Sequence, residues 1–141
     1  LETEYPEPAL LPKDELERAK VRAIAALVGC DIHPINNKRV LEYLRGPLQI
    51  DEQQVLTWCQ HWIEEGFGAL EQLLDRDSGR GDFCVGNAPT LADVYLIPQV
   101  ESSKRFQVNL SQYPIIQNIY NACMALPEFQ AAAPHNQPDA V

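Results

Sequence analysis

A histidine, two asparagines, a lysine and an arginine crowd into seven residues around one proline, in the segment DIHPINNKRV (31–40). The sequence on either side has helical composition, so polar and cationic groups are concentrated at a helix interruption. His33 and Asn37 offer donors and acceptors, and Arg39 offers five N–H donors in a planar fork. A second arginine, Arg105, falls near the end of a later helix. Two arginines from different helices that meet at one point form a bidentate carboxylate clamp. Taken singly, Arg39 reads as a solvated face and Arg105 as a partner of the helix dipole. Spacing leaves both readings open.

The other constellations read mostly as structure. Thr90-Leu91-Ala92-Asp93 is a Thr-x-x-Asp capping box: the Thr90 hydroxyl accepts from the N–H of Asp93, and the Asp93 carboxylate reaches back to the N–H of Thr90. A catalytic carboxylate at Asp93 is the weaker reading. Cys30 and His33 are three residues apart, which permits a thiolate–imidazole pair, but no third orienting group accompanies them. His33, His61 and His135 match no metal-ligand spacing, so no metal is expected. Tyr95 and Gln99 are candidates for lining a cleft. The run DELE (14–17) complements a helix N-terminus and reads as surface.

The elements that must position these groups are helical. Residues 1–12 read as a linker, with Pro6, Pro8 and Pro12 favouring extended backbone. A helix follows, with Leu16, Ala19, Ala23, Leu27 and Cys30 as its apolar stripe, widened by Ile24 and Val28. Pro34 interrupts it, residues 36–44 resume it, and Gly46-Pro47 stop it. Asp51 with Gln54 opens a helix running to about Asp75, with Val55, Cys59, Trp62, Ile63, Leu70 and Leu73/Leu74 as its core face. The stretch DSGRGDFCVGNAP (77–89) is a glycine-rich loop. The Thr90 box opens a helix to about Arg105. Pro114 opens another with Ile116, Ile119, Tyr120 and Cys123 as its stripe, and PEFQAAAP (127–134) is a short final one. No segment alternates with period two. The expected fold is all-α, a bundle of about five helices over 13–134, with a polar tail at 135–141.

The 141-residue chain has ordinary globular composition, with 45% hydrophobic and 22% charged residues. A net charge of −9 argues against binding nucleic acid or an anionic membrane surface. It does not prevent a local basic pocket from taking a small anion. No apolar run reaches the length of a membrane span. The four cysteines, Cys30, Cys59, Cys84 and Cys123, form no C-x-x-C pair and read as buried, reduced thiols, consistent with a cytoplasmic protein.

The segments GNAPTLADVYLIPQV, RFQVNLSQYPIIQNIY and PEFQAAAPHNQPDA, together with DIHPINNKRVLEYL, resemble the helical C-terminal domain of zeta-class glutathione transferases. The resemblance runs over nearly the whole chain. It implies a two-domain subunit in a homodimer: a thioredoxin-like domain that binds glutathione, then a helical domain that builds most of the second-substrate pocket. LETEYPEP matches the end of the first domain's last helix and the linker, so catalytic residues are expected outside this chain. The chain alone is then expected to be inactive. By resemblance, His33 and Asn37 contact glutathione, Arg39 and Arg105 bind substrate carboxylates, and Thr90 and Asp93 form the folding cap. The implied reaction is glutathione-dependent cis–trans isomerisation of a conjugated dicarboxylate. Maleylacetoacetate, from aromatic amino acid breakdown, is the first expectation and maleylpyruvate the second. A non-catalytic helical interaction module would need the core and the cap but not the cations.

Overall fold

Asp14 begins the first helix by accepting from the N–H groups of Leu16 (3.0 Å) and Glu17 (2.9 Å). In the computed structural model, which describes residues 2, 4–138 and 140, this helix, α1, spans Glu15–Ala26. Its buried stripe is Val21, Ile24 and Ala25, continued by Val28 and Ile32. Of the stripe read from the sequence, Ile24 and Val28 are buried, whereas Leu16, Ala19, Ala23 and Cys30 face outward. The helix is apolar on two faces, and periodicity could not tell which one meets the core.

Pro34 acts as expected, in two steps. Its missing N–H and its ring end the i→i+4 ladder. The chain first widens into a π-helical stretch, Leu27–Ile32, where the His33 N–H bonds to Val28 O. It then tightens into a 3-10 turn, His33–Asn36, before α2, Lys38–Arg45.

The long helix α3, Glu52–Asp75, opens with the Asp51/Gln54 capping box and extends about 36 Å. Val55, Cys59, Ile63, Phe67, Leu70 and Leu74 bury one continuous edge. Leu73 lies outside it, 43% exposed. The central helix α4, Leu91–Arg105, is buried at Ala92, Asp93, Leu96, Ile97, Gln99, Val100 and Ser103. It is followed by α5, Pro114–Met124, and the short α6, Pro127–Ala132. Glu71 of α3 caps α5 by accepting from the N–H groups of Ile115 (2.6 Å) and Ile116 (3.0 Å). Five helices of eight residues or more and one short one make the all-α bundle, with no strand among the described residues.

Asp93 does more than cap α4. Its fully buried carboxylate accepts from the N–H of Thr90 (2.7 Å), the Thr90 hydroxyl (2.9 Å) and the N–H of Cys84 (2.8 Å). The Cys123 thiol of α5 faces it at 4.0 Å. One carboxylate thus ties the 77–89 loop to α4 and borders α5.

Cys59, Cys84 and Cys123 are buried, but Cys30 is exposed on the wide turn, correcting the reading of four buried thiols. Burial pushes the Cys59 thiol up to about 11 against the pull of Arg45. Burial, with Asp93 nearby, pushes Cys123 up to about 12 and Cys84 higher still.

Asp93→Ala leaves two buried backbone donors unpartnered and should cost about 3–5 kcal/mol, against about 1 for an exposed cap. Urea unfolding of the variant measures this. In a thiol titration with a disulfide reagent, one of the four thiols, Cys30, should react in the native protein, and all four after unfolding.

Candidate functional site

The turn that carries the polar cluster is held from behind. The Trp58 indole N–H of α3 donates to the carbonyl of Ile35 at 3.2 Å. Gly66 of α3 lets Ile32 approach: a Cβ there would lie 2.4 Å from Ile32 Cγ1. These contacts fix the 3-10 turn, so His33 stands exposed at its start.

Asn37 closes the turn and begins α2. Its Oδ1 accepts from the N–H of Arg39 at 3.3 Å. The cap uses the acceptor end of the amide. The donor end, Nδ2, has no partner among the described residues. Asn36, beside it, buries both amide atoms without a partner, as does Gln99 of α4. Asn36 is one of the two asparagines of the 31–40 segment, and the burial of its amide follows from packing that the sequence does not show. Gln99, a cleft candidate in the sequence, is buried between the core residues Leu96 and Val100. Tyr95, the other cleft candidate, is exposed on the same helix.

The two arginines stand at the ends of different helices, and each precedes in sequence a residue packed on one small core. Leu41, Leu44, Val55 and Cys59 form it, with Val40 and Phe106 packed on it. Arg39 immediately precedes Val40, and Arg105 immediately precedes Phe106. The Phe106 carbonyl accepts from Gln60 Nε2 at 3.1 Å, which pins the end of α4 to α3. That end is a Schellman motif: Val108 N–H bonds to Ser103 O and Gln107 N–H to Lys104 O. Gln107 takes the left-handed position with φ 58°.

Charge pairing separates these arginines from their neighbours. Lys38 pairs with Glu42, Arg45 with Glu52 and Lys104 with Glu101. Arg39 and Arg105 are exposed and take part in no ion pair among the described residues. In a chain of net charge −9, these two exposed guanidinium groups are available to an outside anion.

Other candidates do not assemble. Cys30 and His33 share no hydrogen bond, so the thiolate–imidazole reading has no geometry behind it. His61 lies on α3 against Trp62, and His135 lies in the C-terminal 3-10 turn 134–136. Among the described residues no three His, Cys, Asp or Glu side chains gather as a metal site, and no helix is long and apolar enough to cross a membrane.

Residues 37–127 match the family model of the glutathione S-transferase C-terminal domain. The chain belongs to that family. It is 56% identical over 139 residues to a maleylpyruvate isomerase of a Ralstonia species, covering 99% of this chain and 66% of that protein. The holo structure of a maleyl pyruvate isomerase, described as a bacterial zeta-class glutathione transferase, superposes with a TM-score of 0.98 at 55% identity. That match covers 100% of this chain and 66% of that one. A maleylacetoacetate isomerase from Anaeromyxobacter dehalogenans, with dicarboxyethyl glutathione and citrate in its active site, matches with a TM-score of 0.92 at 43% identity. There the coverage is 100% of this chain and 62% of that one. The domain therefore spans just under two thirds of the length of such relatives.

Gln107→Gly relieves a side chain from the left-handed position that fixes Arg105. It should stabilise the domain by about 0.5–1 kcal/mol, read as a shift in the unfolding midpoint with unchanged slope.

Proposed function

We propose that this chain is the substrate-binding helical domain of a glutathione-dependent cis–trans isomerase acting on maleylacetoacetate. The observation that carries the reading is that two exposed arginines on different helices, Arg39 and Arg105, have no ion-pair partner among the described residues. A dicarboxylate offers one anionic group to each. Fixing both ends orients the conjugated segment between them and holds the fragment that rotates. The same guanidinium groups, paired with the carboxylates, stabilise charge that develops on the substrate's oxygens.

Glutathione fits the polar edge at 33–37. The exposed His33 ring and the free Nδ2 of Asn37 offer hydrogen bonds to a peptide-like ligand, and the Trp58 tie holds the turn that carries both. When bound, glutathione supplies a thiolate that adds to the double bond, permits rotation about the resulting single bond and leaves as the trans isomer forms. The relative that holds dicarboxyethyl glutathione supports a thiol-and-dicarboxylate site in this family.

Two partners complete the reading. A thioredoxin-like domain positions the glutathione thiol. An apolar groove of about 620 Å3, lined by Leu10, Val94, Ile97, Leu126 and Phe129, supports a face that such a domain covers. A second copy forms a homodimer, and the exposed Leu16 of α1 and Leu73 of α3 support an apolar contact there. Maleylpyruvate is the second reading, favoured by the 56% identity to the Ralstonia enzyme.

The test is glutathione-dependent isomerisation by the full-length protein that carries this chain, with each ketoacid. Arg39→Ala and Arg105→Ala should each lower kcat/KM by about 10- to 100-fold, the loss of one charge-assisted pair. The isolated 141-residue chain should show no turnover. Activity unchanged in both arginine variants would overturn the reading.

A further inference from the structure

Tyr95 is the large side chain on the open side of the central helix that neither the cap, the core nor the arginine pair accounts for. It is 45% exposed, although Leu96 and Val100 on the same helix are fully buried. Its ring is nevertheless held in place. The ring lies over Gly29 of the wide turn, where a Cβ would meet Tyr95 Cε1 at 2.7 Å and Cδ1 at 3.1 Å. Glycine at 29 is what makes room for it.

That seat places the ring beside the polar edge. Gly29 and His33 are four residues apart, close to one full turn of an α- or a π-helix, so they share a face. The ring over Gly29 thus stands about one helical turn from the exposed His33. The hydroxyl is free as well. Tyr113 gives its hydroxyl to Glu64 O and Tyr120 gives its own to Glu101, whereas Tyr95 bonds to no group among the described residues. Along α4, Tyr95, Pro98, Ser102 and Arg105 follow one another within about 80° of helix arc. Tyr95, Pro98 and Arg105 are exposed. Ten residues, about 15 Å of axis, separate Tyr95 from Arg105.

We propose that Tyr95, seated on Gly29, is a substrate-contacting residue that sets the length of ketoacid the site accepts; this rests on the isomerase reading above. A ligand anchored at Arg105 by one carboxylate extends along α4 toward His33 and meets the Tyr95 ring. The flat apolar face packs on a planar conjugated chain, and the hydroxyl donates to a keto or carboxylate oxygen. Maleylacetoacetate and maleylpyruvate differ by one methylene between keto and carboxylate groups. A rigid wall at a fixed distance from an anchoring arginine separates ligands that differ in this way.

The experiment is steady-state kinetics of the full-length protein with glutathione and each ketoacid, for wild type, Tyr95→Phe, Tyr95→Ala and Gly29→Ala, with unfolding midpoints alongside. Tyr95→Phe keeps the ring and should raise KM for the preferred ketoacid about tenfold, with kcat within about twofold. Tyr95→Ala should shift the ratio of kcat/KM between the two ketoacids by about fivefold or more. Gly29→Ala, which displaces the ring without removing it, should shift that ratio in the same direction. Values of KM and of the ratio within about twofold of wild type in both Tyr95 variants would overturn the proposal, whatever their stability. Wild type without glutathione-dependent turnover of either ketoacid would remove the isomerase reading, and this proposal with it.

Discussion

A buried carboxylate with four neighbours organises this domain. Asp93 has no exposure to water, so its charge is tolerable only because donors surround it. The N–H and hydroxyl of Thr90, the N–H of Cys84 and the positive end of α4 supply that environment. The same bonds join the glycine-rich loop to the central helix and bring α5 against it through Cys123. With α4 fixed at its start, its far end is fixed too, because Gln60 and the Schellman motif hold Phe106 and the turn after it. Arg105 is therefore placed by interactions at both ends of its helix.

The opposite side of the site depends on α3. This helix supports the 3-10 turn through Trp58 and admits Ile32 at Gly66. It also caps α5 through Glu71. One long rigid element thus stands behind both the polar edge at 33–37 and the helix that packs on α4. The groups that face outward, His33, Arg39, Tyr95 and Arg105, rest on elements whose backs are well packed. The proposed orientation of a dicarboxylate rests on such a rigid backing.

Much of this was legible in the sequence because it depends on local chemistry. The Asp51/Gln54 and Thr90/Asp93 boxes marked two helix starts, and Pro34, Gly46 and Pro114 marked a break, an end and a start. The resemblance carried by the HPINN and LADVYLIPQV segments named the family. Other features were hidden, each for a physical reason. The buried face of α1 was read only in part: Ile24 and Val28 are buried, but Leu16, Ala19, Ala23 and Cys30 form a second apolar stripe that faces out, and choosing between two stripes requires the neighbours. The extra bonds of Asp93 come from Cys84, nine residues away through a loop. The lack of partners at Arg39 and Arg105 appears only once the partners of Lys38, Arg45 and Lys104 are known.

The wide turn at Leu27–Ile32 has a further consequence. A π turn holds one more residue per hydrogen bond than an α turn. The extra residue is taken up without losing the core stripe: Val21, Ile24, Ala25, Val28 and Ile32 are buried before and within the widening, and His33 follows in the open. One continuous stretch therefore serves both the core and the polar edge, with the widened turn as the joint between them.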